Sequence, residues 1–330
     1  MIVSEKELEN LKENGFINNP IDDSINLIEE INKLKKEKNA VILAHYYQIG
    51  EIQDIADFVG DSLSLAQEAA KTDADIIVFS GVHFMAETAK ILNPSKKVLL
   101  PDLNAGCSLA ESAPKDKFEA FVKAHPNHVV VFYVNTSADI KALTDIVCTS
   151  SNAKKVIDSI PKDKPIIFAP DRNLGDWLIR KTGRDMLLWD GACDVHEAFS
   201  LDKILALAKE NPNAEIIAHP ESKRELLKVA KYVGSTSGLL KYVKESNNNV
   251  FIVATEVGIL HKMQQLVPDK ILIPAPIYEN DCGCSECEFM KMNTMRKLYL
   301  CMQYELPAVE VAEELQKKAL KSIQRMMDIG

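Results

Sequence analysis

No apolar run in the sequence approaches the roughly 20 residues that cross a bilayer, which excludes a spanning helix. Positive charge is in deficit. The 39 Lys and Arg face 48 Asp and Glu, for a net charge of −9, so no cationic face is expected for nucleic acid or anionic lipid. The opening stretch MIVSEKELENLKENG is acidic and amphipathic and lacks the apolar core of a secretory signal. An even cysteine count is missing too. Seven cysteines without such a signal point to the cytoplasm and to reduced thiols that bind metal or do chemistry, not to a disulfide framework. What remains is ordinary globular material: 330 residues, 46% apolar, enough for two or three domains or for three units fused into one body.

The chain repeats itself. The apolar run VILAHYY (41–47) is answered by VVVFYVN (129–135) and by EIIAHPE (215–221). His45, Tyr133 and His219 fall in register, 88 and then 86 positions apart, and Tyr47, Asn135 and Glu221 match two residues on. Seventeen residues beyond each first polar residue stands a hydroxyl: Ser62, Ser150, Thr236. Each unit reads as helix, strand, helix, strand, helix, strand, the three runs above being its first strands. The strands are short, continuous and rich in Val and Ile, which predicts parallel strands covered on both faces. The repeat is far longer than a solenoid unit. The expected fold is therefore α/β: three small parallel-sheet units related by a pseudo-threefold axis around a central site. The boundaries fall at 24–113, 114–199 and 200–292, with an N-terminal extension over 1–23 and closing helices over 293–330.

Each repeat delivers cysteine after a later apolar run: Cys107, Cys193, and the group Cys282, Cys284 and Cys287. Three thiolates from three repeats suit an iron–sulfur cluster, which normally takes four cysteine ligands; with three, one iron keeps an open, catalytic position. Glycine beside Cys107 and Cys193 is expected to let the backbone approach a bulky group. The competing reading of the last group is a zinc knuckle, although no second close Cys/His pair completes a zinc set. Cys148 and Cys301 sit in apolar context and read as packing residues.

Residues two apart on a strand share a face, so His45 with Tyr47, Tyr133 with Asn135, and His219 with Glu221 present three polar pairs to one cavity. Glu221, His219 and Tyr47 are candidates for general acid–base work, and His196, three residues after Cys193, for substrate contact. Ser62, Ser150 and Thr236 stand at helix starts. There a hydroxyl is ordinarily an N-cap, but free N–H groups also suit phosphate or carboxylate. Arginine is scarce near these motifs, so helix ends would have to supply the positive potential. Arg172 and His83, in loop-to-helix turns after second strands, are weaker candidates.

The motifs AHYYQ (44–48), PDLNAGCSLA (101–110), YVNTSA (133–138), CTSSNA (148–153), PDRNLG (170–175), CDVHE (193–197), AHPE (218–221), GSTSG (234–238) and the final cysteine-rich segment resemble, over the whole chain, those of the quinolinate synthase family. The resemblance implies three α/β units around one 4Fe-4S cluster per chain. It implies condensation of iminoaspartate with dihydroxyacetone phosphate to quinolinate in de novo NAD biosynthesis, with an iminoaspartate-producing enzyme as a partner. By position it implies Cys107, Cys193 and Cys287 as ligands. It also implies a pocket of His45, Tyr47, Ser62, Tyr133, Asn135, Ser150, His196, His219, Glu221 and Thr236. The spacing Cys-x-Cys-x-x-Cys departs from the Cys-x-x-Cys-x-x-Cys of some members and leaves Cys282 and Cys284 unassigned. Two other readings are a non-catalytic iron–sulfur protein for electron transfer or sensing, and a zinc-dependent lyase.

Overall fold

A computed structural model describes residues 4–278 and 285–330. It contains twelve strands in three sheets: β1 (Ala40–His45), β2 (Phe58–Gly60), β3 (Ile76–Ser80) and β4 (Lys97–Leu99); β5 (Val129–Tyr133), β6 (Ile146–Cys148), β7 (Ile166–Ala169) and β8 (Leu187–Leu188); β9 (Glu215–Ala218), β10 (Tyr232–Val233), β11 (Val250–Ala254) and β12 (Ile271–Pro274). Every pairing within these sheets is parallel. The strand order is the same three times: β2-β1-β3-β4, β6-β5-β7-β8, β10-β9-β11-β12. The expected α/β repeat is thus present.

The sheets hold four strands each, not three. The extra ones, β2, β6 and β10, are edge strands of two or three residues, too short to carry a periodic signal. Cys148 ends one of them. The first strands also stop sooner than the polar pairs require. Beyond β1 and β9 the chain turns at once, Gln48 N–H donating to the His45 carbonyl (3.0 Å) and Ser222 N–H to that of His219 (3.0 Å). Tyr47 and Glu221 therefore lie in turns and Asn135 in irregular chain beyond β5, and strand alternation does not orient them.

The chain divides into two compact units. One comprises the residues up to Cys107 together with Glu288–Leu320. Its core joins Ile31, Ile42, Ala44, Val78 and Leu99 to Leu298, Leu300 and Met302 of helix Met295–Tyr304. The other comprises Ser108–Cys287 and Lys321–Gly330 and holds the second and third sheets. Phe118, Phe132 and Ile167 centre one of its cores, and Ile204, Ile252 and Ala254 another. Continuous burial along β3, β7 and β11 accounts for their unbroken Val, Ile and Phe runs. Among the described residues no helix is long and apolar enough to cross a membrane. Cys282 and Cys284 lie outside the described residues.

Candidate active site

In the second unit the carboxyl ends of the strands bring six of the expected residues into one hydrogen-bonded chain. Glu221 is its centre and is almost wholly buried. Tyr133, the last residue of β5, donates its hydroxyl to Glu221 Oε1 at 2.6 Å. His196 Nδ1 lies 3.2 Å from Glu221 Oε2, and His219 Nδ1 3.5 Å from Oε1. The two imidazoles face each other with centroids 4.9 Å apart. Their far nitrogens reach hydroxyls: His219 Nε2 lies 3.1 Å from Ser150 Oγ, and His196 Nε2 3.1 Å from Thr255 Oγ1. His196 Nδ1 is also 3.2 Å from the Cys193 thiol.

Burial pushes the Glu221 carboxyl up, but the positive charge attracted to His219 and His196, with hydrogen bonds from His196 and Tyr133, outweighs it and holds the group well below its ordinary range. General acid–base work by Glu221, one of the candidates above, would favour a carboxyl tuned toward neutral pH; the two imidazoles and the phenol drive it the other way. Asp171 behaves oppositely. Burial and the neighbouring Glu221 charge push it well above the usual carboxylate range, against hydrogen bonds from the Leu174 and Cys193 amides.

Asp171 was legible only as part of a turn. It caps helix Arg172–Thr182, accepting from Leu174 N–H at 2.7 Å. Asn173 bridges two parts of the site, its amide donating to Glu197 Oε1 (2.6 Å) and to the Glu221 carbonyl (3.0 Å). Arg172 faces outward to Glu197 and Asp190 at 3.1 and 3.3 Å. Two further residues escaped sequence reasoning, Thr255 and Glu256. They follow β11 as Gly81 follows β3 and Asp171 follows β7, and that repeat position was the signal. Buried Glu256 accepts from Gly258 N–H (2.7 Å) and from Cys287 N–H (3.2 Å), while Ser285 Oγ donates to the Thr255 carbonyl (3.1 Å).

His45, Tyr47, Ser62 and Cys107 belong to the first unit. Tyr47 N–H donates to His45 Nδ1 at 3.1 Å, and their rings meet edge-on at 4.6 Å. The third repeat makes the matching bond, Glu221 N–H to His219 Nδ1 at 3.4 Å. His83 opens helix His83–Leu92 and lies 4.0 Å from Glu87. Asn135 follows β5, and Thr236 opens helix Thr236–Glu245.

The three matched hydroxyls are not N-caps. Asp61 caps helix Ser62–Lys71 through Ser64 N–H (2.9 Å), and Ser235 caps helix Thr236–Glu245 through Gly238 N–H (3.2 Å). Asn152 occupies the cap of Ala153–Ser159, with Ser150 in the turn before it. Ser62 and Thr236 directly follow their cap residues, Ser150 precedes its own by two positions, and none of the three hydroxyls is used as the cap. Gly191 departs from expectation as well. A Cβ there would lie 2.6 Å from the Pro170 carbonyl, so the protein's own backbone, not a bound group, demands this glycine.

Among the described residues no cysteine is in a disulfide; Cys107, Cys193 and Cys287 are partly buried, and Cys148 and Cys301 are fully buried, their thiols pushed far up by desolvation. The Cys193 sulfur, a His196 nitrogen and a Glu221 oxygen lie within 4.8 Å of one another.

Known proteins carry the same sequence pattern. The family described as quinolinate synthetase A protein matches residues 29–328. The quinolinate synthase of Nostoc punctiforme is 59% identical over 306 residues, 93% of this chain and 94% of that protein. That of Trichormus variabilis is 58% identical over 306 residues, with the same shares, and that of Trichodesmium erythraeum 59% over 304 residues, 92% and 94%. Matched nearly end to end at this identity, the chain belongs to the quinolinate synthetase A family.

Proposed function

We propose that this member of the family condenses iminoaspartate with dihydroxyacetone phosphate to quinolinate, for NAD biosynthesis, releasing phosphate and water, with one 4Fe-4S cluster per chain on Cys107, Cys193 and Cys287. The observation that carries the reading is the buried, ionised Glu221 enclosed by Tyr133, His196 and His219 beside the Cys193 thiol. The donor set fits the group. Three soft thiols stay partly accessible, whereas Cys148 and Cys301 are sealed in apolar cores. When bound through three thiolates, the cluster supplies a Lewis-acidic iron with an open position.

The residues of the chain supply the rest. Ring formation requires proton removal, closure and loss of water. His196, between the Cys193 sulfur and Thr255, and His219, between Glu221 and Ser150, are the groups able to pass protons. Glu221 keeps both imidazoles oriented, and Tyr133 holds one of its oxygens. Tyr47, supported by His45, is a proton donor or positioning group. Ser62 and Thr236, the first residues of two helices, take the phosphate and carboxylates of the substrates, together with Ser150 and Asn135.

The decisive test is anaerobic purification followed by turnover. A brown protein with iron and acid-labile sulfide, forming quinolinate detected by mass from the two substrates, supports the proposal. The Cys193–His196–Glu221 triad favours one second reading, a mononuclear metal on mixed sulfur, nitrogen and oxygen donors. A colourless protein containing zinc and no sulfide would establish that reading instead.

A further inference from the structure

The turn carrying Tyr47 is held by side chains from two other elements. After β1 ends, three successive carbonyls accept side-chain hydrogen bonds. Gln53 Nε2, on helix Gly50–Ile55, donates to the Tyr46 carbonyl at 3.0 Å and to that of Gln48 at 2.9 Å. Between them, Lys291 Nζ donates to the Tyr47 carbonyl at 2.7 Å. Gln48 is itself fully buried, with its amide nitrogen 3.4 Å from the Met290 sulfur. Met290 and Lys291 belong to the short helix Glu288–Lys291. The backbone of Tyr47 is thus fixed on both sides, its N–H by His45 and its carbonyl by an ammonium arriving from 244 residues further along the chain.

An ammonium is a demanding way to hold a carbonyl. Lysine loses side-chain entropy and hydration when half-buried, and a tight turn can be closed by backbone alone. The arrangement makes sense when the position of Tyr47 itself matters. The charge-assisted bond is stronger than a neutral one, and it acts at the residue that bears the phenol, whereas Gln53 secures the carbonyls on either side.

We propose that Lys291 is a positioning residue for catalysis, setting Tyr47 through its carbonyl, with Gln53 and Met290 completing the clasp. The proposal rests on the reading of Tyr47 as an active-site residue. It adds Lys291, which the repeat pattern does not reach; in the third turn the matching carbonyl, that of Glu221, accepts instead from the Asn173 amide at 3.0 Å.

Four variants of the cluster-loaded enzyme test it: Lys291→Met, Lys291→Arg, Tyr47→Phe, and Lys291→Met with Tyr47→Phe. Lys291→Met is expected to keep its iron and sulfide and lose about ten- to a hundredfold in kcat, the usual cost of a misplaced reactive group. Lys291→Arg, which still donates, restores most of that loss. Tyr47→Phe costs much less on the Lys291→Met background than alone, because the phenol is already out of place. Amide hydrogen exchange of peptide 44–49 quickens in Lys291→Met while distant peptides are unchanged, a readout independent of turnover. Should Lys291→Met prove insoluble, Lys291→Gln takes its place. Wild-type kcat in Lys291→Met with a slow Tyr47→Phe overturns the clasp alone, as does a double variant whose losses simply multiply. Wild-type kcat in Tyr47→Phe removes the reading of Tyr47 and the proposal with it.

Discussion

Glu221 carries its charge where burial opposes it, and the charges of His219 and His196, helped by hydrogen bonds from His196 and Tyr133, decide the outcome. A carboxylate held this firmly is a weak base but a strong organiser of imidazoles. Glu221→Gln, nearly the same shape, is expected to retain the metal centre and to lose at least about a hundredfold in kcat, measured alongside iron content. The deficit should persist as pH is raised, since the native carboxyl is already ionised well below neutrality. The cysteines sort by burial. Cys107→Ala, Cys193→Ala and Cys287→Ala are each expected to lose cluster and activity, whereas Cys148→Ala and Cys301→Ala keep both. Full iron content and turnover in Cys287→Ala would move the third ligand to Cys282 or Cys284. Much of this was legible residue by residue: His219, Glu221, Tyr133, Ser150, Cys193 and His196 were all named from register or motif, and they touch. Their electrostatics was not legible. His196 and Tyr133 lie 25 and 88 positions from Glu221, and only the fold brings them within reach of its carboxyl.

At the scale of elements, strand positions followed from Val and Ile runs, and β5 and β9 begin where the runs 129–135 and 215–221 begin. The strand ends did not follow, because a strand and the turn after it share the same residue types. Hydroxyl function was equally hidden, since a cap and its neighbour look alike in sequence. The structure separates them, and mutation should too. Ser62→Ala, Ser150→Ala and Thr236→Ala are expected to weaken phosphate or substrate binding roughly ten- to a hundredfold, the loss of one charge-assisted hydrogen bond, with little change in melting temperature. Asp61→Ala and Ser235→Ala should instead cost about 1 kcal/mol of stability. Equal melting losses in both groups would mean that the hydroxyls serve the helices after all. A second element-scale device joins three segments. Glu305, in left-handed conformation after helix Met295–Tyr304, binds Lys38 at 2.7 Å and also Lys97, and hydrogen bonds from these lysines lower its carboxyl from 4.5 to about 2. A depressed carboxyl stabilises the fold above its unfolded value. Wild type should therefore exceed Glu305→Gln in urea midpoint above about pH 4.5, and the gap should close as pH falls toward 2. The effect is modest, below about 1 kcal/mol per pair for such solvent-screened groups.

For the molecule as a whole, three sheets with one strand order repeat a single plan, and each proposed cluster ligand belongs to a different repeat. A group bound to all three would close chain segments of 86 and 94 residues between Cys107, Cys193 and Cys287. It would bind only the folded chain, so it adds to stability by mass action. The cluster-loaded protein is expected to melt well above the cluster-free one, and Cys193→Ala should abolish the difference. Identical melting of loaded and cluster-free wild type would show that the cluster does not bridge the repeats. The shared strand order has one more consequence. In every sheet the polar residues matched by the repeat lie at or just beyond the carboxyl end of an interior strand, while short connections such as Pro126–Asn127, Asn211–Asn213 and Asn247–Asn249 lie at amino ends. Those connections are the natural places to graft tags, labels or tethered partner enzymes, at the opposite strand ends from the matched polar residues.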